Sequence, residues 1–346
     1  MKVGPVLRAL DGRADVALVH TGQHYDRQMS LQFFDELRLP HPDVDLGVGS
    51  GTHARQTAGV MVAFEKYILA DLPEAVVVVG DVNSTLACAL TAVKLNVPVA
   101  HVEAGLRSGD WTMPEEINRV LTDRISRWLF TPSEDADDNL LAEGIPADQI
   151  HCVGNVMIDT LLVNLPRARE RAVSARKRLG LSDRFGLVTL HRPSNVDEAR
   201  QLTALMGALG EISRDVPLVF PVHPRTEQQL QDLGVPIPNG LKRVEPLGYL
   251  DFIGLLDAAA LVLTDSGGVQ EEASVLGVPC LTLRQNTERP ITCKLGTNRI
   301  LGTDSAAIAT AAAEALERHQ EPAAIPLWDG KAGMRIADVL VRDLLG

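Results

Sequence analysis

AVVVVGDVNSTLACALTAVKLNVPVAHVEAGLRSGDWTMPEEINR, residues 75–119, is the stretch whose reading decides the fold. Ala75 to Val79 is an apolar, β-branched run without alternation, the pattern of a strand covered on both faces in a parallel sheet. It stops at Gly80-Asp81, and a helix is expected from Ser84 to Lys94. A second apolar run, Val97 to His101, repeats the layout. It is followed by an exposed Glu103, a turn at Gly105, a polar loop and a helix from Pro114 to Arg127. Thr112 is placed to cap that helix, with Pro114 in its first turn and Glu115 at its third position. Strand, loop and helix in regular succession indicate a doubly wound α/β sheet, in which loops at the carboxyl ends of strands carry ligands.

The loop and helix start therefore gather His101, Glu103, Arg107, Asp110, Glu115 and Arg119. Carboxylates with a histidine and arginines suit proton transfer beside an anionic group. A plainer reading makes Glu115 half of a capping box and Arg119 its i,i+4 partner. Asp81, after the first strand, is read equally as a group facing ligand or as an N-cap or turn former.

Toward the N-terminus, KVGPVLRAL (2–10) has the periodicity of an amphipathic helix with Val3, Val6, Leu7 and Leu10 on one face. A strand from Val16 to His20 follows, then the exposed run Gly22, Gln23, His24 and Tyr25. Helices are expected over Gln28 to Leu37 and Ala54 to Leu69. Toward the C-terminus, strands at Trp128 to Thr131 and Gln149 to Val153 complete a first domain of residues 1–165. The charged stretch ARERAVSARKRLGL (168–181) reads as the linker region. The pattern then restarts. Strands are expected at Gly186 to Leu190, Leu218 to Pro221, Lys242 to Val244, Ala260 to Thr264 and Pro279 to Thr282. Helices are expected at Ala199 to Ile212, Tyr249 to Ala258, Val269 to Leu276 and Ala307 to Glu317. That makes 166–332 a second domain, with 333–346 packing back on the first.

The second domain has its own polar clusters. In VTLHRPSNVD, His191 and Arg192 directly follow a strand, where one moves a proton near neutral pH and the other holds an anion. In PVHPRT, His223 and Arg225 repeat the layout, read as binding or loop structure. In VLTDSGGVQEEA, Ser266 is a cap, and Gly267 and Gly268 let a ligand approach the free N–H groups of a helix start. This is a diphosphate cradle without the P-loop lysine or the dinucleotide glycine spacing. Glu271 or Glu272 is placed to accept ribose hydroxyls, and RQNTERP adds Arg284 and Arg289.

Composition bounds the rest. The chain has 346 residues, 45% apolar, enough for two cores, and a net charge of -12 that argues against nucleic acid as a partner. Cys88, Cys152, Cys280 and Cys293 are dispersed, as expected of thiols in a reducing compartment. No apolar segment is long enough to span a membrane and no basic-then-apolar leader opens the chain, so a cytoplasmic protein is expected. No metal is expected: His101 and Glu103 lack a third ligand, and Gly22 argues against one helical face shared by His20 and His24.

In their order, GDVNST, HVEAGLRSGD, MPEEINR, TLHRPSNVD, PVHP and TDSGGVQEE resemble the signature of the non-hydrolysing UDP-N-acetylglucosamine 2-epimerases, over the whole chain from Lys2 onward. The resemblance implies two Rossmann-like domains facing a cleft, similar to the GT-B glycosyltransferases, and a homodimer. It implies interconversion of UDP-GlcNAc and UDP-ManNAc, by anti elimination of UDP to 2-acetamidoglucal and re-addition, with no cofactor required. By position it puts catalytic roles on Asp81, Glu103, Glu115 and His191, and the family's active-site lysine on Lys2. UDP contacts fall on Ser266, Gly267, Gly268 and Glu272, with Arg119 nearby; Arg192, His223 and Arg289 are read as further substrate-binding residues. An allosteric UDP-GlcNAc would involve Gln23 and His24. Relatives usually begin with a strand and a G-T-R-P-E loop, whereas Met1 and Lys2 match the start of the family's first helix, so a leading strand is expected to be missing. The same residues fit a hydrolysing relative, a retaining glycosyltransferase or a UDP-sugar-binding protein without turnover.

Overall fold

A computed structural model describes residues 1–22, 34–317 and 321–345. The chain forms two compact units, Met1–Thr160 with Pro326–Gly346, and Leu161–Ile325. It passes from the first to the second within the helix Val156–Arg178.

In the first unit, β1 (Val19–His20) and β2 (Val44–Asp45) form a separate parallel pair. β3 (Val76–Val79), β4 (Val99–Val102), β5 (Trp128–Thr131) and β6 (Ile150–Cys152) make a four-stranded parallel sheet in sequential order. Every residue of β4 and β5 is buried, the physical reason their sequences show no polar alternation. The helices His53–Ile68 and Asn83–Lys94 cover part of the sheet through Val60, Phe64, Ala87 and Ala92. Elsewhere Val6 and Leu10 of the helix Val3–Leu10 join Ile336, Ala337 and Leu340 of the helix Ala332–Leu345 against Ala100, Trp128 and Phe130. The C-terminal helix is fastened at its start, where Asp159 accepts hydrogen bonds from the N–H groups of Ala332 (3.1 Å) and Gly333 (2.8 Å).

In the second unit, β7 (Gly186–Thr189), β8 (Leu218–Pro221), β9 (Leu241–Val244), β10 (Leu261–Thr264), β11 (Cys280–Thr282) and β12 (Asn298–Ile300) form a parallel sheet. Their order is β12-β11-β10-β7-β8-β9. Counted from the unit's own first strand this is the doubly wound Rossmann order, which reverses direction between β7 and β10. A ligand site is expected outside the carboxyl ends of those two strands. One core face packs Leu202, Leu205, Met206 and Leu209 of the helix Ala199–Ile212 against Val188, Leu218, Phe220 and Leu263. The helix Tyr249–Ala258 is held to the long helix Val156–Arg178 by Asp251, which accepts from Arg171 (2.6 Å) and Arg178 (2.8 Å).

Two parallel α/β sheets were expected from the sequence, and both are present. Among the described residues, several regular elements were not anticipated, including the helices Glu134–Ala142, Pro193–Val196, Pro224–Asp232 and Ile291–Lys294, and the strands β2 and β12.

Candidate active site

In the first unit, β3 and β4 are neighbours, so Gly80-Asp81 and Glu103 emerge side by side at their carboxyl ends. Glu103 is 5% exposed and adopts φ 69°, the left-handed region that costs a non-glycine residue roughly 1 kcal/mol or more. Its Oε2 is ion-paired with Lys2 Nζ. Gly80 lies against that pair: a Cβ there would stand 3.2 Å from Lys2 Nζ and 3.5 Å from Glu103 Oε2. Asp81 Oδ2 is 2.5 Å from Arg119 Nη2, and Arg119, only 2% exposed, also reaches Glu116 Oε2 at 2.7 Å. Asn118 donates to the Asp81 carbonyl (3.0 Å), fixing the same turn. The structure thus brings Lys2, Asp81, Glu103 and Arg119 together through neighbouring strand ends and the helix Pro114–Ile125.

Several local expectations are overturned. Thr112 does not cap that helix. Its hydroxyl and its N–H both donate to Asp110 Oδ1 (2.6 and 3.0 Å), a tight polar turn that pulls the side chain away, and the N-cap residue is Met113, without a side-chain cap. There is no capping box. Glu115 makes no hydrogen bond or ion pair among the described residues and is half-buried one turn from Arg119. The partner of Arg119 is Glu116, whose carboxylate also accepts from Ser108 N–H (2.9 Å), Ser108 Oγ (2.9 Å) and Gly109 N–H (2.9 Å). The N-cap of the helix Asn83–Lys94 is Val82, so Asp81 is not a cap either.

His101 and Arg107 are structural. His101 is fully buried, with Nδ1 2.6 Å from Asp123 Oδ1, while Nε2 donates to the Gly80 carbonyl at 2.8 Å. Asp123 also accepts from Gly105 N–H (3.1 Å) and from Arg107 Nη1 (2.7 Å), whose guanidinium continues to Glu143. One buried carboxylate thus pins the loop that carries Glu103.

In the second unit the two strands at the switch point carry the polar groups. Asp265, just beyond β10, is fully buried. It accepts from His191 N–H (3.0 Å), Arg192 N–H (2.9 Å) and Asn195 Nδ2 (3.1 Å), and His191 Nδ1 stands 2.9 Å away. Burial alone would raise the Asp265 carboxyl, but the hydrogen bond and charge of His191 and the two backbone donors hold it below the usual range. His223 follows β8, next in the sheet. Burial, then the neighbouring His191 and Arg225, push its imidazole down, and its Nδ1 accepts from Arg225 N–H (3.2 Å).

The cradle helix is Gly267–Leu276, with Ser266 at its N-cap but no hydrogen bond from the Ser266 hydroxyl to the helix. Gly267 is bare for a packing reason: a Cβ would lie 2.4 Å from Arg289 Nη1 and 2.7 Å from Glu288 Oε1. Those two belong to a buried charge cluster. Glu288 is approached by Arg289 (2.6 Å), Arg284 (2.9 Å) and Arg192 (3.5 Å), while Arg289 also reaches Glu271 (2.7 Å). Against the cost of burial, Arg289 and then Arg284 hold the Glu288 carboxyl far below its ordinary value. Glu272, 3% exposed, accepts from Tyr249 Oη (3.0 Å). Burial pushes its carboxyl up to about 8, with the Tyr249 hydrogen bond opposing and the Glu271 charge adding.

Gln23 and His24 lie outside the described residues. Among the described residues no group of three or more His, Cys, Asp or Glu side chains is arranged to hold a metal, and no helix is long and apolar enough to cross a membrane. Sequence reasoning passed over Glu116, Asp123, Tyr249 and Asp265. The last carried a usable signal, an aspartate between a buried strand and paired glycines; Asp123 and Tyr249 take partners 16 to 23 positions away, and Glu116 takes Arg119, Ser108 and Gly109 close by.

The comparisons with known proteins concern the whole chain. The family model described as UDP-N-acetylglucosamine 2-epimerase matches residues 8–341. A UDP-N-acetylglucosamine 2-epimerase of Methanocaldococcus jannaschii is 44% identical, over 98% of this chain and 95% of the relative. A UDP-2,3-diacetamido-2,3-dideoxy-D-glucuronate 2-epimerase of Pseudomonas aeruginosa is also 44% identical, over 94% of this chain and 91% of the relative. The crystal structure of the Methanocaldococcus jannaschii UDP-GlcNAc 2-epimerase, in complex with UDP-GlcNAc and UDP, matches with a TM-score of 0.92, covering 99% of this chain and 96% of that one. With its paired Rossmann-like sheets and an almost end-to-end match, this chain belongs to the UDP-N-acetylglucosamine 2-epimerase family.

Proposed function

We propose that the protein inverts C2 of UDP-N-acetylglucosamine to give UDP-N-acetylmannosamine, reversibly and without hydrolysis. The observation that carries this reading is the meeting of Asp81, Glu103, Lys2 and Arg119 at adjacent strand ends. It is an acid–base constellation, redox-neutral in character. In the forward direction a carboxylate takes the C2 proton as the C1–O bond to UDP breaks, leaving 2-acetamidoglucal and UDP. The return step adds UDP to C1 and a proton to the opposite face of C2. Asp81, Glu103 and Glu115 exchange the proton; Lys2 and Arg119 set the charge around them.

The second unit holds the nucleotide. The Ser266 hydroxyl and the N–H groups of Gly267 and Gly268 donate to diphosphate oxygens, Arg192 and Arg289 oppose their charge, and His223 donates to them through Nε2–H. Glu272 accepts ribose hydroxyls, exchanging its Tyr249 contact for them. His191 serves the departing diphosphate as proton donor and acceptor. No cofactor or metal takes part. The active form is a cytoplasmic homodimer, and a second UDP-GlcNAc, bound near Gln23 and His24, regulates it.

Following UDP-GlcNAc by proton NMR tests the proposal. Appearance of UDP-ManNAc to a constant ratio supports it, and conversion to UDP plus free sugar sinks it in favour of a hydrolysing enzyme. A second reading takes the diacetamido-glucuronate nucleotide as substrate, favoured by the Pseudomonas aeruginosa relative at the same 44% identity. Comparing kcat/KM for the two nucleotide sugars separates them.

A further inference from the structure

We infer that Asp265 is a positioning residue for the reaction: it fixes the His191 imidazole as the tautomer with its proton on Nδ1, leaving Nε2 as the working nitrogen. The inference rests on the proposed role of His191 and deepens it.

Asp265 is an acceptor with no solvent to share. It is fully buried at the switch point, and its two oxygens are surrounded by donors: His191 N–H, Arg192 N–H and Asn195 Nδ2. Asn195 is itself fixed by a second hydrogen bond, from Nδ2 to the Leu283 carbonyl (3.0 Å). A carboxylate so placed stays ionised, because the donors satisfy its charge in the absence of water. The nitrogen 2.9 Å away, His191 Nδ1, must therefore carry a proton, whether the ring is neutral or charged. His191 Nε2 makes no hydrogen bond among the described residues, on a side chain 45% exposed. The neutral ring offers Nε2 as an acceptor. Once it takes a proton, the imidazolium is stabilised by the buried carboxylate behind it, the arrangement that orients histidines in other proton-transfer sites.

The carboxylate links two parts of the site. It binds the backbone of His191 and Arg192 after β7, and it immediately precedes Ser266 and Gly267 of the cradle. His223 is a titratable group near His191. With Nδ1 accepting from Arg225 N–H, its own proton sits on Nε2.

The test combines long-range proton–nitrogen NMR of 15N-histidine protein, with the His191 signals assigned through His191→Asn, with kinetics of Asp265→Asn. The wild-type ring should show the proton on Nδ1. Asp265→Asn offers an N–H in place of an oxygen, so the ring should turn to the Nε2–H tautomer. Its kcat should fall about 10³- to 10⁴-fold, as when the corresponding carboxylate is amidated elsewhere, with UDP Kd within about threefold. An Nε2–H signal in the wild type overturns the inference without any variant having to fold. So does an Asp265→Asn enzyme with normal kcat, or one whose UDP affinity falls in step with kcat, which would make Asp265 scaffold only. Should His191→Asn retain full kcat, the proposed role of His191 fails instead, while the tautomer measurement still reports on Asp265.

Discussion

Arg119 Nη2 stands 2.5 Å from Asp81 Oδ2, joining residues 38 positions apart, while its Nη1 holds Glu116 at 2.7 Å. One guanidinium thus connects the turn after β3 to the loop after β4, because Glu116 in turn holds Ser108 and Gly109.

Arg119→Ala should therefore be costly well beyond the loss of one contact. It would leave the Glu116 carboxylate, 2% exposed, as a buried charge without its cation. Breaking a buried pair in this way costs about 3–5 kcal/mol. Urea unfolding should show a loss of that size; a loss below about 1 kcal/mol would mean the pair is solvated and stabilises little.

At the cradle the two small residues should behave differently. Gly267→Ala would push a Cβ into Arg289 and Glu288, at 2.4 and 2.7 Å, so UDP should bind at least about tenfold more weakly, roughly 1.4 kcal/mol. Ser266→Ala removes a hydroxyl that caps nothing, so unfolding should shift by well under the about 1 kcal/mol of a working cap. Calorimetric titration and urea curves measure the two effects. Unchanged UDP affinity in Gly267→Ala would show that the nucleotide binds elsewhere.

Glu272 gives stability a pH dependence of defined sign. Its carboxyl titrates at about 8 in the folded chain against an ordinary 4.5, so between those values the native state binds more protons than the unfolded one. Stability should fall as pH rises through that window, by at most about 1.4 kcal/mol per pH unit, and level off above it. Glu288 acts in the opposite sense: its depressed carboxyl stabilises the fold above the ordinary value, and that stability is lost as pH falls through the lowered one. Glu272→Gln should remove the alkaline decline alone. Parallel pH–stability curves for this variant and the parent would contradict the assignment.

Regular structure was legible wherever hydrophobic burial alone dictated it. The strands Trp128–Thr131 and Leu218–Pro221 and the helices Ala199–Ile212 and Tyr249–Ala258 carry apolar patterns that fix their ends, and the structure reproduces those ends. Glu134–Ala142 and Pro224–Asp232 were missed because each buries only two residues, too few to leave a period in the sequence. The polar groups were harder. Thr112 followed by Glu115 has capping spacing, yet Asp110 captures the hydroxyl first. Glu116, beside Glu115, holds the loop, a choice set by which helix face turns inward. Asp123 and Asp265 take partners up to 22 and 74 positions away, a relation no local pattern carries.

The central claim is that the C2 proton is exchanged by the carboxylates of the first unit. Because the structure contains no capping box, Glu115→Gln loses no cap, and a slow variant reports on chemistry. The most direct measurement is turnover of UDP-GlcNAc in deuterated water, followed by NMR at C2, with Glu103→Gln and Glu115→Gln alongside. The account predicts solvent deuterium at C2 of both nucleotide sugars, with each variant slowed about 10²-fold or more while still binding UDP. Epimerised product that keeps its original hydrogen at C2, or variants turning over at the parent rate, would contradict it.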